Sequence, residues 1–277
     1  MSLQDADQIM LQFIKSLLSG KEDADLPALP MGQRVYAIGD IHGRLDLFEA
    51  LIAAVEEDDA LAPTADTTVI LLGDLVDRGP DSAGVVRRAR AWQAQRNVRI
   101  LCGNHEEMFL RSFDNADMMR HFMRHGGRET VQSYGVDRKA LGAGSVEEAQ
   151  AMMVQAVPSQ ELAYIASFED MIQLGDYVFV HAGIDPEVPL AEQRPQDLRW
   201  IREPFLSHSE PYGTVVVHGH TISDQPEDKG NRIGIDTGAY ASGRLTALVL
   251  EGSRRRYLEA AMSEDGTIKA GPRAVPA

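Results

Sequence analysis

Hydrophobic positions in the first hundred residues fall into short, β-branched runs that each stop at a glycine, and the segments between them are apolar at helical spacing. Arg34-Val35-Tyr36-Ala37-Ile38-Gly39-Asp40 reads as a strand. Leu45, Leu47, Phe48, Leu51 and Ile52 then predict an amphipathic helix over 44–58. A second strand is predicted over 67–74, a helix from Pro80 to about Gln95, and a third strand over Val98-Arg99-Ile100-Leu101-Cys102. Strand, helix, strand, helix, strand at this spacing implies right-handed βαβ units around a parallel sheet.

The pattern changes after residue 106. To about 170 it is helical and rich in methionine (Met108, Met118, Met119, Met123, Met152, Met153), as expected of an inserted helical cap whose methionines fill its core. Short strand-like runs follow at 172–174, 177–181, 214–218, 232–236, 244–250 and 254–259, in the manner of hairpins and mixed sheets. Ahead of the first strand, Leu3, Ile9, Met10, Phe13, Ile14, Leu17 and Leu18 suggest a helix over 3–18 that Gly20 ends, followed by a linker with Pro27 and Pro30. The expected organisation is an N-terminal helix and linker (1–33), a main domain (34–262) with the insertion at about 106–170, and a disordered tail (263–277) marked by Gly266, Gly271, Pro272 and Pro276.

Composition narrows the function classes. The chain has 277 residues and a formal charge of -15, from 42 acidic against 27 basic residues. Such a field repels phosphate backbones, so no nucleic-acid partner is expected. No apolar run approaches membrane-spanning length and the N-terminus is acidic, so the expectation is a cytoplasmic protein without a membrane role. The single cysteine, Cys102, excludes an internal disulfide framework and reads as a small buried thiol.

The chemistry is concentrated where strands end: Gly39-Asp40-Ile41-His42-Gly43, Gly73-Asp74, Gly103-Asn104-His105-Glu106, His181-Ala182-Gly183 and His218-Gly219-His220-Thr221. Carboxyl ends of strands in an α/β sheet line one crevice, so these groups can converge. Nitrogen and oxygen donors without cysteine suit Mn²⁺, Fe or Zn²⁺. Six such groups exceed what one open metal site takes, which favours two metals sharing a carboxylate.

Read in order as GDIHG, GDLVDRG, GNHE, HAG and HGHT, these motifs resemble the metallophosphoesterase superfamily. Within it they resemble the phosphoprotein phosphatase family, bacterial Ser/Thr protein phosphatase type, over about residues 34–250. The resemblance implies an α/β calcineurin-like fold: a central β-sandwich of mixed sheets flanked by helices, with an inserted cap. It implies that Asp40 and His42 hold one metal, that Asp74 bridges, and that Asn104, His181 and His220 hold the second. Manganese is the first expectation, with iron or zinc as alternatives. His218 is expected to be structural and Glu106 to support its loop.

The same resemblance implies direct attack on phosphorus by a hydroxide bridging both metals, whose charge lowers its pKa. Arg78 would clamp the phosphoryl oxygens, with Arg202, rather than Arg199, as a second clamp. His105 would protonate the leaving oxygen and Asp77 would orient His105. Tyr240 is a candidate for the cleft rim.

Two substrates share this site: a phosphoprotein or small phosphomonoester, and, as the alternative, symmetrical diadenosine tetraphosphate. Asp77 favours the first, because an acid-supported histidine helps most when the leaving group is a poor one. A catalytically silent metal- and phosphopeptide-binding module is the third reading.

Overall fold

The structure, a computed structural model, describes residues 26–273. The helix expected over 3–18 lies outside the described residues.

Three strands, β1 (Gln33–Ile38), β2 (Asp66–Leu71) and β3 (Val98–Ile100), alternate with helices α1 (Leu45–Leu61) and α2 (Ser82–Gln93) and pair in parallel. The sheet then continues with reversed sense. β9 (Arg244–Glu251) lies antiparallel on β1, followed by β10 (Arg254–Met262) and β11 (Ile268–Pro272), giving the order β11-β10-β9-β1-β2-β3. A second sheet contains β4 (Met171–Leu174), β5 (Tyr177–Val180), β6 (Val215–His218), β7 (Glu227–Asp228) and β8 (Arg232–Gly234), ordered β4-β5-β6-β8-β7. The parallel sheet expected at the core is therefore one half of a mixed sheet, and a second mixed sheet packs against it.

Alternation along β1 explains why the sheets stack. Val35 and Ala37 face inward, where they join Ile70, Leu72, Phe179, Val217 and Ile233 in one apolar layer between the sheets. Tyr36 and Ile38 face outward into a layer formed with Phe48, Leu51 and Trp92 of α1 and α2. A strand buried on both faces has no polar alternate positions, which is why it reads as one apolar run.

Between β3 and β4 lie six helices: α3 (Asn104–Arg111), α4 (Ala116–Arg124), α5 (Gly127–Ser133), α6 (Arg138–Ala143), α7 (Val146–Ala156) and α8 (Ser159–Ile165). Met108, Phe109, Met119, Phe122 and Met153 form their shared core, so the methionines fill space as expected, and Val76 and Val86 of the main body enter the same cluster. Among the described residues the remaining α-helices are α9 (Pro195–Trp200) and α10 (Ala239–Ser242).

The tail departs from expectation. Residues 263–267 form a tight turn, with the Ser263 amide donating to the Thr267 carbonyl at 2.9 Å, and β11 then pairs with β10. Asp265-Gly266 supplies the turn, and Ile268 packs on the α1 side of the sheet. Only residues 274–277 of the expected tail lie outside the described residues. Among the described residues, no helix is long and apolar enough to cross a membrane.

Candidate functional site

The loops after β1, β2, β3, β5 and β6 meet at one end of the sandwich. Their backbone is unusual. His42, Asp74, Asp77, Arg78 and His220 all take left-handed φ values, of 46°, 51°, 73°, 70° and 62°. Each such non-glycine conformation costs on the order of 1–3 kcal/mol and persists only where the surroundings impose it. Glu106 is one source of that constraint. Its buried carboxylate accepts from the amides of Asp74 (2.8 Å), Leu75 (2.7 Å) and Gly103 (2.9 Å), holding the β2 loop against the start of α3. A bond to such a carboxyl contributes on the order of 1 kcal/mol or more, comparable to the strain at Asp74 alone. Gly103 is required by close approach, because a Cβ there would stand 2.1 Å from Asp74 Oδ1. Gly219 stands in the same relation to Asp40 Oδ1, also at 2.1 Å.

Histidine tautomers follow from the backbone. His181 Nδ1 donates to the Leu72 carbonyl at 2.8 Å, so Nε2 carries a lone pair. That lone pair faces Asn104 Oδ1 at 3.0 Å and Asp74 Oδ1 at 3.4 Å. His42 Nδ1 likewise donates to the Val76 carbonyl at 2.8 Å, which leaves its Nε2 lone pair 3.5 Å from Asp74 Oδ2. His220 Nδ1 lies 2.8 Å from Asn104 Oδ1, and its amide donates to Asp40 at 3.1 Å. Burial lowers the pKa of His42 and His181 and brings His220 down to about 3, so all three are neutral.

Lone pairs that point at each other in a buried site need a cation between them. Donor atoms of His42, Asp74 and His105 fall within 4.8 Å of one another, and so do those of Asp74, His181 and His220. Asp74 belongs to both groups. Neutral imidazoles, carboxylates and an amide oxygen form a donor set suited to divalent metals, so the residues present fit the metals that the sequence implies. Of the six expected ligands, five are joined by direct side-chain distances, and Asp40 joins through the His220 amide.

The catalytic candidates border this cluster. His105 Nδ1 lies 2.6 Å from Asp77 Oδ2. Burial disfavours the imidazolium, but Asp74 and Asp77 prevail and raise the His105 pKa. Arg78 Nη1 lies 2.7 Å from His42 Nε2 and Nη2 lies 2.9 Å from His105 Nε2, and its guanidinium lies 4.7 Å from the centre of the Tyr240 ring. Tyr240 also meets His42 edge-on, with ring centroids 5.4 Å apart, so it lies at the cleft. Arg202 is exposed and reaches the His220 carbonyl at 3.5 Å. Arg199 is held elsewhere, by Asp170 at 2.6 Å and Glu107 at 3.5 Å. His218 is buried against Phe205 and turned toward the Gly219 carbonyl, away from this chemistry. Burial pushes the Cys102 thiol upward, which leaves it unreactive.

Two residues here were not singled out from the sequence. Asp236 is buried beside Asp40; its Oδ1 accepts from the Gly238 amide at 2.9 Å and its Oδ2 has no partner among the described residues. Burial and Asp74 bring its pKa up to about 6. Its signal is present in Ile235-Asp236-Thr237-Gly238, an apolar run that ends in Asp close to a glycine, as at Asp40 and Asp74. Thr130 of α5 bonds Asp77 at 2.6 Å across a separation of 53 residues, and no local pattern announces that.

A calcineurin-like phosphoesterase profile matches residues 33–239, three quarters of the chain and every motif above. The chain belongs to this family. It is a metal-dependent phosphoester hydrolase with the calcineurin-like α/β fold. An asymmetrical bis(5'-nucleosyl)-tetraphosphatase from Bacillus velezensis is 25% identical over 83% of this chain and 94% of its own length. A symmetrical bis(5'-nucleosyl)-tetraphosphatase from Acidovorax sp. is 44% identical over 153 residues, 55% of this chain and 45% of that protein. The cold-active protein-tyrosine phosphatase of a Shewanella species shares the fold, with a TM-score of 0.53 at 18% identity over 87% of this chain and 82% of that one. Both of these curated relatives are nucleosyl tetraphosphatases, not Ser/Thr protein phosphatases.

Proposed function

We propose that the protein hydrolyses bis(5'-nucleosyl) tetraphosphates. The observation that carries this reading is the likeness to the Bacillus velezensis tetraphosphatase, which extends over 94% of that protein's length. It reverses the preference drawn from Asp77 in the sequence and adopts the reading kept there as the alternative.

In this reading Asp40, His42, Asp74, Asn104, His181 and His220 hold two divalent ions. Bound there, the ions supply charge neutralisation at phosphorus and a lowered pKa for water. The protein's own groups do the rest. Arg78, already placed between His42 and His105, binds non-bridging phosphoryl oxygens in a forked geometry. Arg202, free of carboxylate partners among the described residues, neutralises a further oxygen. His105 presents Nε2 to the departing oxygen while Asp77 fixes Nδ1 as the donor to its own carboxylate.

The His105–Asp77 pair supports a second reading, hydrolysis of phosphoserine or phosphothreonine peptides. A nucleotide leaves as a stabilised phosphate anion and needs little protonation, whereas a serine alkoxide needs an acid.

One assay separates these. After chelation and return of Mn²⁺, kcat/KM is compared for diadenosine tetraphosphate, a phosphoserine peptide and p-nitrophenyl phosphate. The dinucleotide is expected to be preferred by at least about tenfold. Preference for the peptide transfers the assignment to the second reading, and inactivity on all three leaves the metal- and phosphopeptide-binding module. Products identify the cleaved bond, as two ADP for the symmetrical mode and ATP plus AMP for the asymmetrical one.

A further inference from the structure

Asp77 and Arg78 sit side by side in left-handed conformations, and the groups that hold them there come partly from the helical insertion. The Arg78 amide donates to the carbonyl of Gly126, in the α4–α5 connection, at 3.0 Å. The Asp77 amide donates to Thr130 Oγ1 at 2.8 Å and is shared with Ser82 Oγ at 3.0 Å. Thr130 Oγ1 lies 2.6 Å from Asp77 Oδ1 and 2.9 Å from Ser82 Oγ. All three side chains are fully buried.

Proton counting fixes the direction of this chain. The Asp77 carboxylate can only accept, so Thr130 spends its one hydroxyl hydrogen on Oδ1. Its two lone pairs then receive the Asp77 amide and the Ser82 hydroxyl. Ser82 Oγ in turn takes its share of the Asp77 amide. No atom of the set lacks a partner, and no alternative assignment satisfies them all. With Oδ1 committed to Thr130, Oδ2 is the oxygen left for His105 Nδ1, at 2.6 Å. The orientation of the imidazole is thereby set from α5, on the far side of the carboxylate.

We infer that Thr130 is a positioning residue for the proton donor: the Ser82–Thr130–Asp77 chain holds the carboxylate so that His105 Nε2 faces the leaving oxygen. This rests on the proposed role of His105 and goes beyond it, because it makes the insertion a component of the catalytic apparatus and not merely a cover. Without the hydroxyl, Asp77 can rotate about its Cβ–Cγ bond, both oxygens compete for Nδ1, and the donor loses its alignment. Substrates with poor leaving groups suffer most, while those whose leaving group departs as a stable anion barely respond.

The test uses the full-length metal-loaded protein with Thr130→Val, which keeps the shape and removes the hydroxyl, and Thr130→Ser, which restores it. Each is assayed on p-nitrophenyl phosphate and on phenyl phosphate, whose leaving group is the poorer, with His105→Asn as reference. Thr130→Val is expected to lower kcat on phenyl phosphate about tenfold, with KM unchanged and a loss under about twofold on p-nitrophenyl phosphate, whereas Thr130→Ser stays near wild type. Equal losses on both substrates, or no rescue by serine, overturn the inference. If His105→Asn is selective for phenyl phosphate and Thr130→Val is not, the Thr130 role alone fails. If His105→Asn is itself unselective, the donor assignment fails and takes the inference with it. Should Thr130→Val not fold, Ser82→Ala breaks only the outer link and is expected to give the same selectivity at about two- to threefold; its absence is equally decisive against the chain.

Discussion

His181 Nε2 and Asn104 Oδ1 stand 3.0 Å apart with lone pairs facing, because His181 has already given its Nδ1 hydrogen to the Leu72 carbonyl. An arrangement of this kind is built to be completed by a cation. Divalent metal is expected to raise the unfolding temperature of chelator-treated protein. At a hundredfold excess over Kd the gain is about 2.7 kcal/mol, which corresponds to roughly 5–10 °C in a chain of this size. Thermal melts with Mn²⁺, Zn²⁺ and Fe²⁺ check this, and His181→Ala is expected to shrink the shift. A flat response to all three ions would remove the metal assignment.

The two candidate arginines separate by experiment. Arg202 has no carboxylate partner among the described residues, whereas Arg199 ties Asp170 to Glu107. Arg202→Ala is expected to lower kcat/KM by about 10- to 100-fold with an unchanged melting temperature. Arg199→Ala is expected to lower the melting temperature and leave kcat/KM within about twofold. The reverse outcome would exchange their roles.

Cys102 is buried and its thiol is pushed upward in pKa, so the thiolate that reacts with electrophiles is scarce. The native protein is expected to resist alkylation by iodoacetamide at neutral pH and to react stoichiometrically once unfolded in urea. Mass spectrometry of both states gives the answer, and rapid native labelling would contradict the burial.

The fold was readable because its strands end in glycine and a charged residue, a juxtaposition that only a sheet edge explains. His42, Asp74 and His181 were found for that reason. Asp236 ends its strand in the same manner, and that strand end points to Tyr240, but no role for Asp236 itself is legible because its neighbour, Asp40, lies 196 positions away. Thr130 carries no pattern at all, since its bond to Asp77 is made by tertiary packing between the insertion and the β2 loop. β11 was missed because Gly271 and Pro272 read as tail, although Asp265-Gly266 is a hairpin turn and Ile268 an apolar residue with a face to cover. Asp77 is legible from the sequence as the partner of His105, whereas the substrate preference drawn from it runs against the two curated relatives, both nucleosyl tetraphosphatases.

A pH effect on stability follows from the opposite end of the sheet. Arg256 holds both oxygens of Asp58 at 2.6 Å and the Tyr36 hydroxyl donates at 2.5 Å. Burial opposes these bonds, yet they keep the carboxyl below its ordinary pKa. A depressed folded pKa stabilises the fold above the unfolded value, near 4, and that contribution is lost as pH falls through the folded value. Asp58→Asn is expected to melt about 2–4 °C below wild type at pH 7, with the gap closing below pH 4. A gap that is constant with pH would show that the charge is immaterial.

The candidate metal donors hang from two different leaves. Asp40, His42, Asp74 and Asn104 extend from the sheet built on β1, whereas His181 and His220 extend from the sheet built on β5 and β6. Apolar contacts such as those of Val35, Leu72, Phe179 and Val217, with a few polar links such as His181 to the Leu72 carbonyl, keep the leaves in register. A slip of about 1 Å between them would separate His181 from Asn104 and cost on the order of a hundredfold in rate while every strand ladder stayed intact. Turnover is therefore a finer gauge of this molecule's integrity than its secondary structure. As urea is raised, activity is expected to vanish while the far-ultraviolet circular dichroism is still native.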